Sequence, residues 1–400
     1  MPYTEENAKN AHEFAKKIAF PRLVGSVGEK KAQEIINDEL KLIGNSFYTE
    51  ELKCSQFVIN IVFRFIMPIG GLLLLIAWLF SDPLLSLNNP IISLLFSLFG
   101  IIWLALSSTI INKSFGRVPN IGEIYTTKNY ISEIIPPEPK GHLIYLAHYD
   151  SKSQLYPGIV RVILFIVGLI SGLLYGIRVF IRSIIILTGN PPASFWTPEL
   201  YSALIVFISN FALAFNYVGN RSPGALDDAT GVATILELSK IFKSSPPQNL
   251  QLTFLVTAAE EIGLYGAADY VKRRKNQLNP ETTFFLNYDG IGGKGKIILL
   301  TSYGIPPKKT SQTLNDFIEE ITDEHALKNK IRKFYLPIGA ASDHVPIQGA
   351  GFDVTLLGSF ASRFHTSKDT ADFIDDKALK ISGVIGVELA LKLDQKLSSK

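Results

Sequence analysis

The 400-residue sequence contains few cysteine, methionine and charged residues. A single cysteine, Cys54, excludes an internal disulfide and is typical of a protein in a reducing compartment. Charged residues make up only 19% of the chain, and the net charge is +3. The basic residues are not interleaved with aromatic residues, as a nucleic-acid groove requires. We therefore expect no nucleic-acid partner.

Long apolar runs, in contrast, are abundant. The mean hydropathy of +0.22 is high for a soluble protein, and the excess lies in two blocks, 57–112 and 158–218. Because about 20 apolar residues cross the hydrocarbon core of a bilayer, we predict four transmembrane helices in two hairpins, against core helices of a large soluble domain as the alternative. Their apolar runs cover 65–80, 91–111, 162–177 and 201–218.

The remaining chain is expected to form one soluble domain, made from residues 1–56, 113–157 and 221–400 and interrupted by hairpins at 57–112 and 158–220. The first residues are polar and predict an amphipathic helix rather than a signal peptide. Two hairpins leave all three pieces on one side of the membrane. Lysine and arginine near the spans are more frequent on that side, so we expect a multi-pass protein whose soluble domain is cytoplasmic.

Strand-like and helix-like segments alternate through the soluble part. Apolar runs at 141–148, 251–258, 282–290 and 352–359 read as buried strands, and amphipathic segments between them read as helices. This pattern predicts an α/β fold with a mostly parallel central sheet covered by helices on both faces. Ligands in such sheets bind at the carboxyl ends of the strands.

Acids and histidines cluster at those predicted strand ends. Taken singly, each could be a turn residue, a helix cap or a surface histidine. Together they would repel one another unless cations were bound, and a mixed carboxylate and imidazole set suits Zn²⁺, or less specifically Mn²⁺ or Co²⁺. The residues concerned are His148, Asp150, Asp227, Asp228, Glu260, Glu261, Asp289 and His365.

The motifs around these residues resemble the M28 family of dizinc metallopeptidases, which includes aminopeptidases. The motifs occur in the family's order and are HLIYLAHYDS, PGALDDATGVA, AAEEIGLYGAADY, LNYDG, SDHVPIQGAG and FHTSKDT. The resemblance covers nearly all of the soluble part and none of the spans. It implies two Zn²⁺ per chain and hydrolysis of peptide substrates by an exopeptidase, in particular an aminopeptidase. Typical soluble members of the family lack the hairpins, so the membrane location is expected from the predicted spans alone.

The resemblance also assigns roles to the residues. His148 and Asp289 would hold one zinc ion, Glu261 and His365 the other, and Asp227 would bridge them. Asp150 would orient the imidazole of His148, and Glu260 would be the general base. Leu226 departs from the family, which commonly has Asn or Asp there, so a hydrogen bond of that loop is expected to be missing.

Two other functions fit parts of the sequence. Glutaminyl cyclases share the expected architecture and a similar HYDSK segment but bind one zinc ion, whereas all five dizinc positions are intact here. A non-catalytic membrane receptor with a peptidase fold is less consistent with an intact ligand set. Transport is disfavoured because the predicted spans contain no acidic residue. The side-chain preference and the oligomeric state do not follow from the sequence.

Overall fold

The structure is a computed structural model that describes residues 2–81, 87, 89–120, 122–189, 199–359 and 361–398. Residues 1–56, 115–154 and 219–400 form one compact unit, which we call the sheet unit. Residues 57–114 and 155–218 form a second compact unit, which we call the helical unit.

The regular elements are numbered in chain order. The helices are α1 (Glu5–Ile18), α2 (Val27–Ile43), α3 (Phe63–Ser81), α4 (Pro90–Ser114), α5 (Gly158–Leu187), α6 (Glu199–Ala212), α7 (Thr230–Ser244), α8 (Tyr265–Arg274), α9 (Gln312–Glu324), α10 (His344–Gly349) and α11 (Asp376–Ser398). The strands are β1 (Ser46–Cys54), β2 (Tyr125–Ile134), β3 (Gly141–His148), β4 (Ser153–Gln154), β5 (Val218–Gly219), β6 (Leu250–Thr257), β7 (Thr283–Asp289), β8 (Ile297–Tyr303), β9 (Lys308–Lys309), β10 (Ile331–Leu336) and β11 (Asp353–Gly358).

The sheet unit contains a nine-stranded mixed sheet with the order β1-β2-β6-β3-β7-β11-β8-β10, and β9 pairs with β8. The four central strands β6, β3, β7 and β11 are parallel to one another. Strands β1, β2 and β8 pair antiparallel with their inner neighbours. The outermost strand β10 pairs parallel with β8. The predicted α/β fold is confirmed, with a parallel centre and further antiparallel and parallel pairs toward the edges of the sheet.

Burial explains why the central strands read as continuous apolar runs. Every residue of β3 is buried, and Tyr145 stacks between Phe254 and Tyr288 of the neighbouring strands. Helix α7 buries nearly its whole length, including Val232 and Ile235. A strand enclosed on both faces has no solvent side, so its sequence shows no polar alternation.

The register aligns the carboxyl ends of the central strands. His148, the last residue of β3, is paired with Thr257 at the end of β6. Gly358, the last residue of β11, is paired with Asp289 at the end of β7. Side chains that follow these strands therefore meet at one edge of the sheet.

Among its described residues, the helical unit contains three helices long and apolar enough to cross a membrane, covering Val58–Ser81, Pro90–Ser107 and Gly158–Leu187. A fourth apolar helix, Tyr201–Phe215, is shorter. Of the four predicted spans, three thus have the required length. The first two apolar runs are separated by SDPLLSLNNP (81–90), which predicts a turn, and the last two by a segment with the helix breaker GNPPAS (189–194). Both segments lie largely outside the described residues.

Side-chain hydrogen bonds within the helical unit satisfy polar groups among the apolar helices. Ser183 of α5 donates to Ser93 of α4 at 2.9 Å, and the indole of Trp103 donates to the carbonyl of Ile66 at 2.6 Å. The Nε of Arg64 donates to the carbonyl of Ala214 at 2.8 Å. Such pairing is required where no water reaches polar groups.

Candidate metal centre

Five potential metal ligands converge at the carboxyl edge of the sheet. His148 ends β3 and Asp289 ends β7. Glu261 lies in the turn between β6 and α8, Asp227 in the turn before α7, and His365 in the loop after β11. The parallel centre of the sheet thus gathers residues that are as much as 217 positions apart in the chain.

The five ligands form two groups that share Asp227. One group contains His148, Asp227 and Asp289, the other contains Asp227, Glu261 and His365, and within each group one ligand atom per residue lies within 4.8 Å of the others. The Oδ1 of Asp227 lies 3.2 Å from Nε2 of His148, and its Oδ2 lies 3.1 Å from Nε2 of His365. Each oxygen of Asp227 therefore faces a different histidine.

The ring nitrogens of His148 have distinct partners. Its Nδ1 donates to the backbone carbonyl of Asp150 at 3.1 Å. Because a carbonyl only accepts hydrogen bonds, the proton is assigned to Nδ1, and the lone pair of Nε2 points toward Asp227 and Asp289. Nε2 is therefore the nitrogen available to bind a metal ion.

His365 reaches the site from an unusual backbone conformation. Its φ of 61° is uncommon for a residue with a Cβ atom, and its Nε2 lies 3.1 Å from Oε2 of Glu261. Its backbone carbonyl accepts a hydrogen bond from the N–H of Gln154 at 3.0 Å. Left-handed conformations of this kind occur at functional sites, where the surrounding structure holds them.

The adjacent acids Glu260 and Glu261 have opposite electrostatic environments. Burial raises the pKa of Glu260 well above its ordinary value, and the charge of His148 only partly opposes this. Burial acts on Glu261 in the same direction, but His365 and Lys152 outweigh it and lower the pKa of that carboxyl to about 2. Glu261 is thus held as a carboxylate among cations.

Asp150 contacts both glutamates through their backbone. Its Oδ1 accepts the N–H of Glu260 and its Oδ2 accepts the N–H of Glu261, each at 3.1 Å. Its carboxylate lies 3.7 Å from Nδ1 of His148, so that nitrogen donates its hydrogen bond to the backbone carbonyl of Asp150 instead. The orienting role expected for Asp150 remains a prediction, and the structure adds a contact to the turn of Glu260.

Two further aspartates order the loop around Asp227. Asp369 accepts the backbone N–H groups of Leu226 at 2.9 Å and of Asp227 at 3.2 Å. Asp228 is buried and accepts the N–H of Gly290 at 2.9 Å. The loop of Leu226 is therefore held through its main chain. Asp369 had no distinguishing sequence signal beyond the FHTSKDT motif that contains it.

Two buried cations near the site, Lys152 and Arg22, were not predicted as site residues from the sequence. The Nζ of Lys152 lies 2.7 Å from Oε2 of Glu261 and donates to the Glu261 carbonyl at 2.9 Å. The guanidinium of Arg22 donates to the carbonyls of Ile18 at 3.0 Å and Gly224 at 2.8 Å, and also to those of Tyr149 and Pro223. Arg22 therefore joins α1, the end of β3 and the loop before Asp227.

Asp343 is a buried acid close to the site. The hydroxyl of Thr257 donates to its Oδ2 at 2.6 Å, and burial raises the pKa of Asp343 to about 7. The SDHVPIQGAG motif contains Asp343, but nothing in its pattern distinguished this aspartate from a turn residue.

The donor set fits divalent cations. Each group offers one imidazole nitrogen and carboxylate oxygens, which is ligand chemistry suited to zinc. The carboxylates of Asp227 and Glu261 are buried and that of Asp289 is partly exposed, and a cation between them offsets their mutual repulsion.

Comparison with known proteins agrees with this geometry. Residues 211–389 match the model of peptidase family M28. The chain is 27% identical over 172 residues to aminopeptidase YwaD of Bacillus subtilis, covering 40% of this chain and 36% of that protein. It is 36% identical over 84 residues to a vacuolar membrane protease of Candida dubliniensis, covering 20% of this chain and 9% of that protein. The chain thus spans about a third or less of the length of these relatives.

A solved glutaminyl cyclase from an Acidobacteriales bacterium has the same fold. The TM-score is 0.56 with 16% sequence identity, and the alignment covers 99% of this chain and 97% of that one. Identity this low shows the fold alone, and the reaction has to be argued from the residues of the site.

Proposed function

We propose that the protein is a membrane-embedded, zinc-dependent aminopeptidase that removes N-terminal residues from peptides, because residues 211–389 match the model of peptidase family M28. One observation carries the proposal: the carboxylate of Asp227 is shared by two groups of ligands, with Glu260 beside them and outside both groups. This arrangement suits two cations and one free base.

The residues proposed to hold zinc are the five ligands of the two groups. His148 and Asp289 would hold one ion, Glu261 and His365 the other, and Asp227 both. Bound there, zinc ions polarise a carbonyl and make a water molecule more acidic. Lys152 keeps Glu261 oriented through its contact with Oε2.

Glu260 is the proposed general base. Its Oε2 lies 3.9 Å from Nε2 of His148, and only 7% of the residue is exposed to solvent. A carboxylate at this position can accept a proton from the attacking water and deliver it to the leaving amine. Asp150 fixes the backbone of Glu260 and so positions this carboxylate.

The membrane location rests on the apolar helices. Three helices in the described part of the chain have the length and composition of spans, and the lysine and arginine bias supports a cytoplasmic location for the sheet unit. Peptides and the lipid bilayer are thus the proposed partners.

Activity of the purified full chain tests the proposal. In detergent, we expect cleavage of aminoacyl-p-nitroanilides that a chelator abolishes and Zn²⁺ restores. Glu260→Gln should lose turnover by about 10²-fold or more while keeping its zinc. The exposed Glu281→Gln variant serves as the control. Cleavage that survives complete metal removal would refute the mechanism.

Glutaminyl cyclisation is the second candidate, favoured by the shared fold and by the HYDSK segment that contains Lys152. The two ligand groups favour hydrolysis, since a cyclase of this type uses one zinc ion. Metal analysis together with a peptide carrying N-terminal glutamine separates the two reactions. One zinc per chain with pyroglutamate formation would replace the aminopeptidase proposal.

A further inference from the structure

A cavity in the sheet unit has a lining that includes none of the candidate metal ligands. It encloses about 460 Å³ and has a markedly basic lining. We call it the basic pocket. Its lining residues are Lys53, Gly116, Arg117, Val118, Tyr265, Asp269 and Lys272.

The positive charge of the basic pocket is not balanced by the protein. Lys53, Arg117 and Lys272 are exposed, and none of them forms an ion pair in the described part of the chain. The acidic lining residue, Asp269, is paired with Arg273 at 2.5 Å. Three cationic side chains therefore face one cavity without a carboxylate of their own, which is an arrangement suited to an anion.

Hydrogen bonds to main-chain carbonyls connect the segments that line the basic pocket. The hydroxyl of Tyr265 lies 3.2 Å from the carbonyls of Ser55 and Arg117, so it can donate to either wall. The N–H of Gly116 donates to the carbonyl of Gly263 at 2.8 Å. These contacts order the walls before any ligand binds, so little conformational entropy of the walls is lost on binding.

Gly116 is required for this close approach. Its φ is +65°, and a Cβ atom there would lie 2.2 Å from the Cβ of Ala268 in α8. Only glycine therefore lets the chain after α4 lie against the helix that contributes Lys272.

Chain connectivity relates the lining to the proposed spans. Gly116 follows the last residue of α4, Ser114, by two positions. Lys53 precedes Val58, the first residue of the first candidate span, by five. Basic side chains directly next to transmembrane segments are typical of sites for anionic lipid headgroups.

We propose that the basic pocket binds the phosphate group of an anionic phospholipid. The guanidinium of Arg117 offers paired donors for phosphate oxygens, and the ammonium groups of Lys53 and Lys272 supply the remaining charge. This proposal rests on the membrane location in the proposed function, but it needs no peptidase activity.

Lipid retention tests the proposal on the full chain. The protein is placed in nanodiscs of phosphatidylcholine with or without phosphatidylglycerol, and retained lipid is counted by native mass spectrometry. We expect one tightly held phosphatidylglycerol per chain, bound about tenfold or more weakly by the variant K53Q/R117Q/K272Q. The matched control K296Q/K308Q/K309Q removes the same charge from exposed lysines elsewhere and should bind as the unmodified chain does.

Three results would overturn the proposal. Equal loss of phosphatidylglycerol in both triple variants would reduce it to a general charge effect. Equal retention of phosphatidylcholine would show that the phosphate's net charge is not recognised. Displacement of the lipid by inorganic phosphate at equal concentration would identify a site for free phosphate. Unfolding temperatures in phosphatidylcholine nanodiscs, unchanged in K53Q/R117Q/K272Q, verify that the variant is folded.

Discussion

Asp150 accepts the backbone N–H groups of Glu260 and of the residue that follows it, one on each carboxylate oxygen. Two adjacent acids of different proposed function are thus fixed by one side chain. The backbone on which both glutamates depend cannot rotate without breaking a hydrogen bond to a fully buried carboxylate.

Asp150→Asn tests this relationship. An amide has one oxygen, so only one N–H keeps an acceptor while the other faces an NH₂ group. We expect peptidase activity and zinc affinity to fall by roughly 10- to 100-fold. Zinc affinity is measured by competition with a chelator, with the exposed Asp316→Asn as control. Unchanged affinity and activity would show that the turn of Glu260 is held by other contacts.

Because Asp227 belongs to both ligand groups, substitutions at Asp227 and at His365 should cause different losses of zinc. His365→Ala removes a ligand from one group only, so about one zinc ion per chain should remain. Asp227→Ala removes a ligand from both groups and should leave the chain nearly free of zinc. Elemental analysis after dialysis gives the two values. The same stoichiometry in both variants would contradict a shared ligand.

Arg22→Met should destabilise the sheet unit. The change leaves several buried carbonyl oxygens without a donor, and each such group costs about 1–3 kcal/mol. We expect a loss of at least about 3 kcal/mol in unfolding free energy, seen as a lower unfolding temperature in detergent. The exposed Lys30→Met variant is the control. A stability equal to that of the unmodified protein would mean that water reaches these carbonyls.

His142 predicts an acid-dependent loss of stability. Burial lowers the pKa of His142 to about 4, while its Nε2 contacts Oγ1 of Thr253 at 2.8 Å. In the unfolded chain the imidazole of His142 is protonated below about pH 6.5, whereas in the folded chain it stays neutral down to about pH 4. The free energy of unfolding therefore decreases as the pH falls through this interval, by about 3 kcal/mol in total.

His142→Gln should flatten this dependence, because an amide does not titrate and can still donate to Thr253. Unfolding temperatures between pH 7 and pH 4 measure the slope, with the more exposed His325→Gln as control. A slope that is the same with and without His142 would assign the acid sensitivity to other groups.

Residues whose role depends on local pattern could be predicted from the sequence. The helix of Ala11 and Phe14 has the predicted buried face, and the apolar runs became the central strands. Because ligand sites lie at the carboxyl ends of such strands, His148 and Asp289 could be predicted to lie close together. Strand β1 has no such signal, because most of its residues are at least partly exposed and its pairing partner β2 lies beyond the first hairpin.

Residues that act through distant main-chain groups could not be predicted. Arg22 binds carbonyls as many as 202 positions away, and Asp369 binds N–H groups 142 and 143 positions before it. Such contacts depend on where loops meet after folding, and a buried arginine or aspartate has the same appearance in the sequence as an exposed one. The fourth apolar run was predicted as a span from hydropathy alone, and in the described part of the chain its helix, Tyr201–Phe215, is shorter than the other three.

The second pair of apolar helices separates His148 from Asp227 in the order of synthesis. When His148 leaves the ribosome, both helices must still be made before its partner carboxylate exists. The candidate ligand set therefore becomes complete only after both apolar segments have been synthesised. In the proposed membrane enzyme, assembly of the metal centre would follow insertion of these helices, and a chain that stalls before Gly219 carries only part of the candidate site.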